Sequence, residues 1–274
     1  MTLYLIGIGL NDEQDITLKG LDAVKKCDVV YLEKYTSTLS CPIEKLEKLY
    51  GKKITCANRE MVEKNADVIL EQAKKKNVAF LVIGDVFGAT THTDLFLRAR
   101  TQGITVQVIH NASILTAVSV CGLELYKFGK TTSIPYPQKN FSPTSYYDII
   151  VENQKNGAHT LLLLDIKAEQ GRLMTIAEGL TILLDAEKLK KKHVLTDKTR
   201  LLGLARVGGE SVLRYGTAAE LAQEDFGPPP HCLIIPGKLH FIEEEALDVW
   251  KIDKKKKESE KHNKLDFANQ PKSL

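Results

Sequence analysis

Two glycines follow the first apolar run of the chain, at a spacing that suits a ligand-binding turn. Gly7 and Gly9 come directly after residues 3–6, and Leu10 follows them. Glycines placed in this way let the backbone turn sharply and let a ligand approach the amide groups without a Cβ in between. The dinucleotide fingerprint needs a third glycine where Asp12 stands, so a nicotinamide-dependent reductase is disfavoured. The segment is either a cofactor turn or a plain tight turn.

A second loop with chemical potential follows the apolar run 78–83. It contains Asp85, Gly88 and Thr91 among small and hydroxyl residues. A carboxylate at this place can accept hydrogen bonds from a ribose or an ammonium group, each worth about 1.5–3 kcal/mol when charge-assisted. The alternative is that Asp85 or Thr91 only caps the next helix.

A third loop, residues 110–114, follows the apolar run 104–109 and opens another helix. Ser113 can bind the polar edge of a ligand there, or it can serve only as an N-cap, which is the commoner case. The carboxyl ends of neighbouring parallel strands open on one edge of a sheet. We therefore expect the three loops to form one site of the size that an adenosine-type ligand needs.

The second half of the chain adds weaker candidates. Asp165 ends an apolar strand, and His231 precedes the strand 232–235 after a proline-rich turn, where a histidine is more often structural. The chain has no HExxH motif, P-loop lysine, GxSxG elbow or Cys/His cluster. Metal-dependent and covalent hydrolytic chemistry are therefore disfavoured, and no metal site is expected.

Alternating strand-like and helix-like runs predict an α/β protein with a largely parallel sheet in its first half. The predicted strands there are 3–6, 28–31, 78–83 and 104–109, and the predicted helices are 18–26, 61–76, 95–101 and 114–120. Residues 129–143 contain three prolines, which suit neither a helix interior nor a central strand. We place a domain boundary there, with one domain at 1–130 and another at 131–250.

The same alternation continues in the second half. The predicted helices are 146–153, 176–190, 218–224 and 242–250, and the predicted strands are 159–164, 201–207, 212–215 and 232–235. The five cysteines form no CxxC pair, and no apolar run reaches the 18 residues of a membrane span. The N-terminus also lacks the features of a signal peptide. These patterns favour a cytoplasmic protein with reduced thiols and no membrane association.

The charge of the chain is concentrated at its end. The formal net charge is +3, but residues 251–274 carry eight lysines and four acids, which leaves residues 1–250 with a net charge of −1. A nucleic-acid-binding domain usually carries its excess of Lys and Arg on the folded part. We expect no direct nucleic-acid partner, and we expect residues 251–274 to be a flexible, solvated extension.

Six segments, taken in order, resemble the diphthine synthase family of the tetrapyrrole-methylase class of S-adenosylmethionine-dependent methyltransferases. They are GIGL at 7–10, GDVFGATTH at 84–92, HNASI at 110–114, HTLLLLDIK at 159–167, LARVG at 204–208 and HCLIIPGKLH at 231–240. The resemblance runs from residue 1 to about residue 250. It implies a two-domain α/β fold with a parallel N-terminal sheet and a mixed C-terminal sheet.

The resemblance also implies a function and a site. Such an enzyme binds S-adenosylmethionine between its domains, is usually a homodimer, and methylates the amine of a modified histidine on translation elongation factor 2 during diphthamide biosynthesis. The residues that would contact the cofactor are Leu10, Asp85, Gly88, Ser113, Ile114, Leu164, Val207 and His231. The number of methyl groups, three or four, stays open, and so does the identity of a catalytic base.

Methyl transfer needs few catalytic side chains, because the donor is already activated and an amine with a pKa of roughly 8 is partly neutral near pH 7. Asp165 is a candidate for orienting the amine, and Tyr136 and Phe141 for cation–π contacts with a methylated head group. Two alternatives stay open. One is a methyltransferase of the same class that acts on a corrin, a porphyrin or RNA, and the other is a non-catalytic module that binds a translation factor.

Overall fold

The first half of the chain forms a five-stranded parallel sheet. A computed structural model describes residues 1–139 and 142–252, and in it the strands lie in the order β3-β2-β4-β1-β5. Every neighbouring pair in this sheet is parallel. The strands are β1 (Thr2–Gly7), β2 (Val29–Glu33), β3 (Thr55–Ala57), β4 (Val78–Val82) and β5 (Thr105–Ile109).

Helices cover both faces of this sheet. They are α1 (Leu18–Lys25), α2 (Ile43–Tyr50), α3 (Arg59–Glu63), α4 (Asp67–Ala73), α5 (Thr93–Thr101) and α6 (Ile114–Ala117), with 3-10 turns at Glu13–Asp15, Val118–Cys121 and Leu125–Lys127. The central strand β4 is buried at all five positions because two apolar clusters pack against its opposite faces. This explains its continuous apolar sequence.

The prediction of one helix over 61–76 was wrong, because α3 and α4 are separate helices. Asn58 caps α3, and the amides of Lys64 and Asn65 both donate to the carbonyl of Glu60. The helix thus ends at this point and a new one starts at Asp67. The apolar spacing continues across the break, which is why the pattern alone predicts a single helix. The analysis of the sequence also missed α2 and β3.

The second half forms a mixed sheet in the order β11-β10-β12-β7-β6. Only β6 and β7 are parallel, and the other pairs are antiparallel. Its strands are β6 (Thr132–Ile134), β7 (Thr160–Leu164), β10 (Arg200–Ala205), β11 (Val212–Thr217) and β12 (His231–Ile235), and β8 (Ile166–Lys167) pairs with β9 (Arg172–Leu173) as a small hairpin. The parallel and mixed sheets confirm the predicted fold class.

Four helices accompany this second sheet: α7 (Ser145–Lys155), α8 (Ile176–Lys190), α9 (Ala218–Leu221) and α10 (Phe241–Asp248). The sequence analysis had no strand within 129–143, yet β6 lies there at the edge of the sheet and ends immediately before Pro135. A strand at this place is compatible with the prolines, because they follow the three paired residues. The division at residue 130 stays a prediction.

A buried polar cluster joins α10 to the connection between the two sheets. The carboxylate of Glu243 pairs with Lys127, and its Oε1 lies 2.9 Å from Nε2 of His159. It also accepts hydrogen bonds from the amides of Glu124 and His240, at 3.0 and 2.8 Å. These contacts outweigh the effect of burial and lower the pKa of Glu243 from 4.5 to about 2. The carboxylate is therefore ionised and fully paired.

The chain is described as far as Ile252. The amide of Tyr215 donates to the carbonyl of Trp250, and the amide of Ile252 donates to the carbonyl of Tyr215. This last segment therefore runs along β11. The predicted flexible extension, apart from Lys251 and Ile252, lies outside the described residues. Within 1–139 and 142–252, no helix has the length and apolar character to cross a membrane.

Candidate active site

A mostly apolar pocket of about 780 Å³, counting its open mouth, lies between the two sheets. Seven of the eight residues proposed as cofactor contacts line it: Leu10, Gly88, Ser113, Ile114, Leu164, Val207 and His231. The first four come from loops of the parallel sheet, and the last three come from the mixed sheet.

The three predicted loops meet because β4, β1 and β5 are adjacent and parallel. The turn after β1 and the turn after β4 are joined by a pair of hydrogen bonds between Gly9 and Gly84, of 3.3 and 2.6 Å. A Cβ on Gly7 would lie 2.6 Å from the carbonyl oxygen of Gly84. The glycines therefore allow two backbones to approach each other closely at the rim of the pocket.

Gly88 likewise allows a close approach, here between the loop after β4 and the loop after β5. A Cβ at this position would lie 2.3 Å from Oγ of Ser113, so the loop after β4 can pack against the start of α6 only without a side chain. Gly84, with φ of +82°, differs: a Cβ there would have no neighbour closer than 3.7 Å. The absent side chain of Gly84 leaves open space within the pocket that it lines.

Asp85 does not line the pocket, but its carboxylate fixes two of the loops that do. Its carboxylate accepts hydrogen bonds from the amides of Phe87 and Asn111, both at 3.0 Å, and lies 2.9 Å from Nδ1 of His110. Burial acts to raise the pKa of Asp85, but these three partners outweigh it and lower the pKa. Neither Asp85 nor Thr91 caps α5, whose N-cap residue is His92. The carboxylate instead fastens the loop after β4 to the loop after β5.

Asp15 and Asn111 form a second brace that the sequence analysis missed. Oδ2 of Asp15 accepts the amides of Leu10 and Asn11, at 3.0 and 2.7 Å. The side-chain amide of Asn111 donates to the carbonyls of Gly7 and Asp15, both at 3.0 Å. Polar side chains thus fix the first and third loops by bonding to backbone, a role that residue type and spacing do not reveal.

Ser113 and His231 combine structural roles with a place in the pocket lining. Ser113 is the N-cap of α6 and accepts the amide of Leu115. Nδ1 of His231 accepts the amide of Ile176 at 3.3 Å, and Nε2 lies 3.1 Å from the carbonyl of Gly227. A ring that accepts at Nδ1 and donates at Nε2 is neutral, and burial lowers the pKa of His231 accordingly.

The turn after β2 also lines the pocket, through Thr36 and Ser37, and the sequence analysis did not include it. Glu33, which is fully buried, shapes this turn. Its carboxylate accepts the amides of Tyr35 and Thr36, at 2.7 and 2.6 Å, and the hydroxyl of Thr36 at 2.7 Å. A signal was available in the sequence: an acid ends an apolar strand and hydroxyl residues follow it.

A second, more polar pocket of about 750 Å³ adjoins the first. Ile166 lines both, and Asp165 lines the second one. Oδ2 of Asp165 accepts the amide of Tyr136 at 2.9 Å. The guanidinium of Arg172 lies 4.0 Å from the centre of the Tyr136 ring, which is thus already in contact with a cation. Phe141, the other proposed aromatic contact, lies outside the described residues.

The comparisons with known proteins agree with this arrangement. The model of the family described as Tetrapyrrole (Corrin/Porphyrin) Methylases matches residues 2–208. The diphthine methyl ester synthase of Dictyostelium discoideum is 46% identical over 272 residues, which cover 93% of this chain and 100% of the relative. The diphthine synthase of Methanococcus maripaludis is 47% identical over 247 residues, which cover 89% of this chain and 97% of the relative.

A solved structure has the same fold. It is that of a candidate diphthine synthase from Entamoeba histolytica, which is 46% identical with a TM-score of 0.86 and covers 92% of this chain and 99% of its own. These matches cover most of this chain and most of each similar protein. The chain therefore belongs to the tetrapyrrole methylase family and, within it, to the diphthine synthases, and it is a methyltransferase.

Proposed function

We propose that the protein uses S-adenosylmethionine to methylate a modified histidine of translation elongation factor 2 repeatedly, as a step of diphthamide biosynthesis. The observation that carries the proposal is the pocket between the sheets, which is mostly apolar and lies where three strand-end loops meet. The family to which the protein belongs and the names of its relatives support the same function.

The lining suits S-adenosylmethionine. Loop backbones and the hydroxyls of Thr36 and Ser113 supply polar groups, Leu10 and Val207 supply apolar surface, and Gly84 leaves room for a ligand. Asp85 acts from behind the wall by fixing the loops, so its effect on the cofactor is indirect. When bound, S-adenosylmethionine supplies an electrophilic methyl group on a sulfonium.

The protein's part in this reaction is to align the acceptor and exclude water. Leu10, Ser113 and His231 would hold S-adenosylmethionine, which would supply its methyl group to the acceptor nitrogen and keep the electrons of the broken carbon–sulfur bond on its sulfur. A primary or secondary amine must release a proton in each round, and water can take it because such an amine is partly neutral near pH 7. Asp165, at the end of β7 next to Ile166, can orient the amine.

The names of the relatives fall into two groups, diphthine synthase and diphthine methyl ester synthase. A methyl ester arises by methylation of a carboxylate, so the second name describes an acceptor with a carboxylate as well as an amine. We propose an acceptor of this kind for the present chain. Whether the carboxylate is itself methylated determines whether three or four methyl groups are added.

Mass spectrometry of elongation factor 2 peptides tests the proposal. The purified protein, S-adenosylmethionine and elongation factor 2 that carries the unmethylated histidine modification should give peptide masses that rise by successive methyl groups on that histidine. Base treatment should remove one methyl group if an ester is formed. An unchanged peptide, together with methylation of a corrin or a porphyrin, would support the alternative within the family instead.

Three further expectations belong to the same proposal: a homodimer, a cytoplasmic location, and no direct contact with nucleic acid. Light scattering at several protein concentrations tests the dimer. Calorimetry with S-adenosylhomocysteine tests the cofactor site without any acceptor, and a lack of binding would contradict the assignment of the first pocket to the cofactor.

A further inference from the structure

We propose that the second pocket binds the amino acid head group of the acceptor, with Arg59 and Lys167 binding its carboxylate and Asp165 facing its amine. This inference rests on the proposed function for the identity of the acceptor. It assigns roles to residues from both halves of the chain that are not among the eight proposed cofactor contacts.

The two pockets are adjacent along two segments of the chain. Ile166 lines both, and its neighbours divide between them: Leu164 lines the first pocket and Asp165 the second. After β2 the same division occurs, since Tyr35 lines the second pocket and Thr36 the first. An acceptor in the second pocket is therefore adjacent to a ligand in the first, as direct methyl transfer requires.

The two pockets differ in their chemistry. The first has no Lys, Arg, Asp or Glu among its described lining residues, whereas the second has Arg59, Asp165, Lys167 and Glu169. Two cations and two anions in one pocket match a zwitterion, which an amino acid head group is at neutral pH. An uncharged acceptor would leave both pairs of charges without a partner, and a purely anionic acceptor would leave the two carboxylates without one.

Both cations are available for a ligand. The only carboxylate within 4.0 Å of the Arg59 guanidinium among the described residues is that of Glu63, at 3.9 Å, and more than half of the Arg59 side chain is exposed. Lys167 has no such carboxylate in the described part of the chain, and its ammonium lies 5.4 Å from the centre of the Tyr136 ring. The planar guanidinium of Arg59 can bind a carboxylate through two parallel hydrogen bonds.

The anions of the pocket have different roles. Oε1 of Glu169 accepts the amide of Arg59 at 3.3 Å, so this carboxylate joins the two halves of the chain across the pocket. Oδ2 of Asp165 accepts the amide of Tyr136, and no described residue donates to its Oδ1. Asp165 and Glu169 each keep one oxygen without a described donor, but Asp165 is next to Ile166, which lines both pockets. We therefore assign the hydrogen bond from the ammonium group of the acceptor to Asp165.

The test compares two synthetic peptides of elongation factor 2 sequence in which the modified histidine carries either the free carboxylate or its primary amide. Peptide binding is measured by fluorescence anisotropy in the presence of S-adenosylhomocysteine, so that no turnover is needed. For the carboxylate peptide, we expect Arg59→Gln and Lys167→Gln each to raise the Kd about tenfold. For the amide peptide, the same substitutions should change the Kd less than about twofold.

Lys64→Gln is the matched control, because Lys64 is an exposed lysine near Arg59 that lines neither pocket. Calorimetry should show an unchanged affinity of all variants for S-adenosylhomocysteine, which also verifies that they are folded. Equal Kd values for the wild type and Arg59→Gln with the carboxylate peptide would overturn the proposal, as would an equal loss with both peptides. Absence of methyl transfer by the wild type, with these binding differences intact, would instead contradict the proposed function alone.

Discussion

Carboxylates stabilise both halves of the molecule, but in different surroundings. Asp85 is partly exposed at the edge of the parallel sheet and accepts hydrogen bonds from two backbone amides and His110. Glu243 is fully buried, pairs with Lys127 and His159, and lines neither cleft pocket. The first carboxylate fixes loops around the first pocket, and the second attaches a helix to the fold. We therefore expect substitutions at the first to alter binding and substitutions at the second to alter stability.

The largest expected effect on stability is that of Glu243→Gln. The substitution leaves Lys127 without its buried partner, and removing one member of a buried ion pair costs about 3 kcal/mol or more. Urea denaturation should show this loss, whereas the affinity of the folded variant for S-adenosylhomocysteine should stay within about twofold of the wild type. Glu152→Gln is the control, because the Glu152–Lys130 pair is exposed and worth less than about 1 kcal/mol.

The pH dependence of unfolding should reveal the same group. The pKa of Glu243 is about 2 in the folded chain against an ordinary 4.5, so its contribution is complete above about pH 4.5 and is lost as the pH falls toward 2. The free energy of unfolding of the wild type should fall through this range more steeply than that of Glu243→Gln. Parallel curves for the two proteins would contradict the assignment.

The largest expected effect on binding is that of Gly88→Ala. The added Cβ would lie 2.3 Å from Oγ and 2.7 Å from Cβ of Ser113, so two walls of the pocket must separate. We expect the affinity for S-adenosylhomocysteine to fall about tenfold or more in calorimetry, as overpacking of this size costs about 1–3 kcal/mol. Ser113→Gly removes both clashing atoms, so the effect of Gly88→Ala should largely disappear when the double variant is compared with Ser113→Gly alone. An equal effect of Gly88→Ala in both backgrounds would contradict this explanation.

Asp85→Ala should have a smaller effect on the same property. The variant should stay folded but bind S-adenosylhomocysteine about five- to tenfold more weakly, because the amides of Phe87 and Asn111 lose the acceptor that fixes both loops. The pKa of Asp85 is lowered in the folded chain, so this brace acts above the ordinary pKa of an aspartate and is lost as the pH falls through the lowered value. Unchanged binding in calorimetry would remove Asp85 from the site altogether.

The smallest expected effect is that of Thr36→Val. It removes the hydroxyl that donates to Glu33 and keeps the shape of the side chain, while two backbone amides still donate to the same carboxylate. We expect a loss of about 1 kcal/mol in the free energy of unfolding and a two- to threefold weaker affinity for S-adenosylhomocysteine. An effect as large as that of Gly88→Ala would mean that Thr36 contacts the ligand strongly itself.

The loops of the parallel sheet were predictable from the sequence because strand direction decides where they meet. Buried parallel strands have continuous apolar runs, and their carboxyl ends share one edge of the sheet. The sequence alone therefore predicts that the loops of Gly9, Asp85 and Ser113 lie close together. The wrong single helix over 61–76 shows the limit of periodicity. Helix ends depend on local hydrogen bonds such as those to Glu60, which an apolar pattern does not record.

The roles of individual polar side chains were less predictable. Asp85 has the residue type and position expected of a residue that binds a cofactor. Its oxygens, however, accept hydrogen bonds from two backbone amides and interact with His110. Asp15 and Glu33 shape the site without belonging to any recognisable motif. Which groups a carboxylate satisfies depends on how two loops approach each other in space, and residue spacing along the chain carries little information about that approach.

The position of the first pocket between the two sheets has a thermodynamic consequence. Leu10 and Ser113 belong to one half of the chain and Val207 and His231 to the other, so a ligand that contacts them requires both halves in their folded arrangement. Such a ligand binds the native state and not the unfolded chain. When its free concentration is a hundred times its Kd, it adds about 2.7 kcal/mol to the free energy of unfolding. The melting temperature of this protein therefore reports whether a ligand occupies the first pocket, and this measurement needs no acceptor.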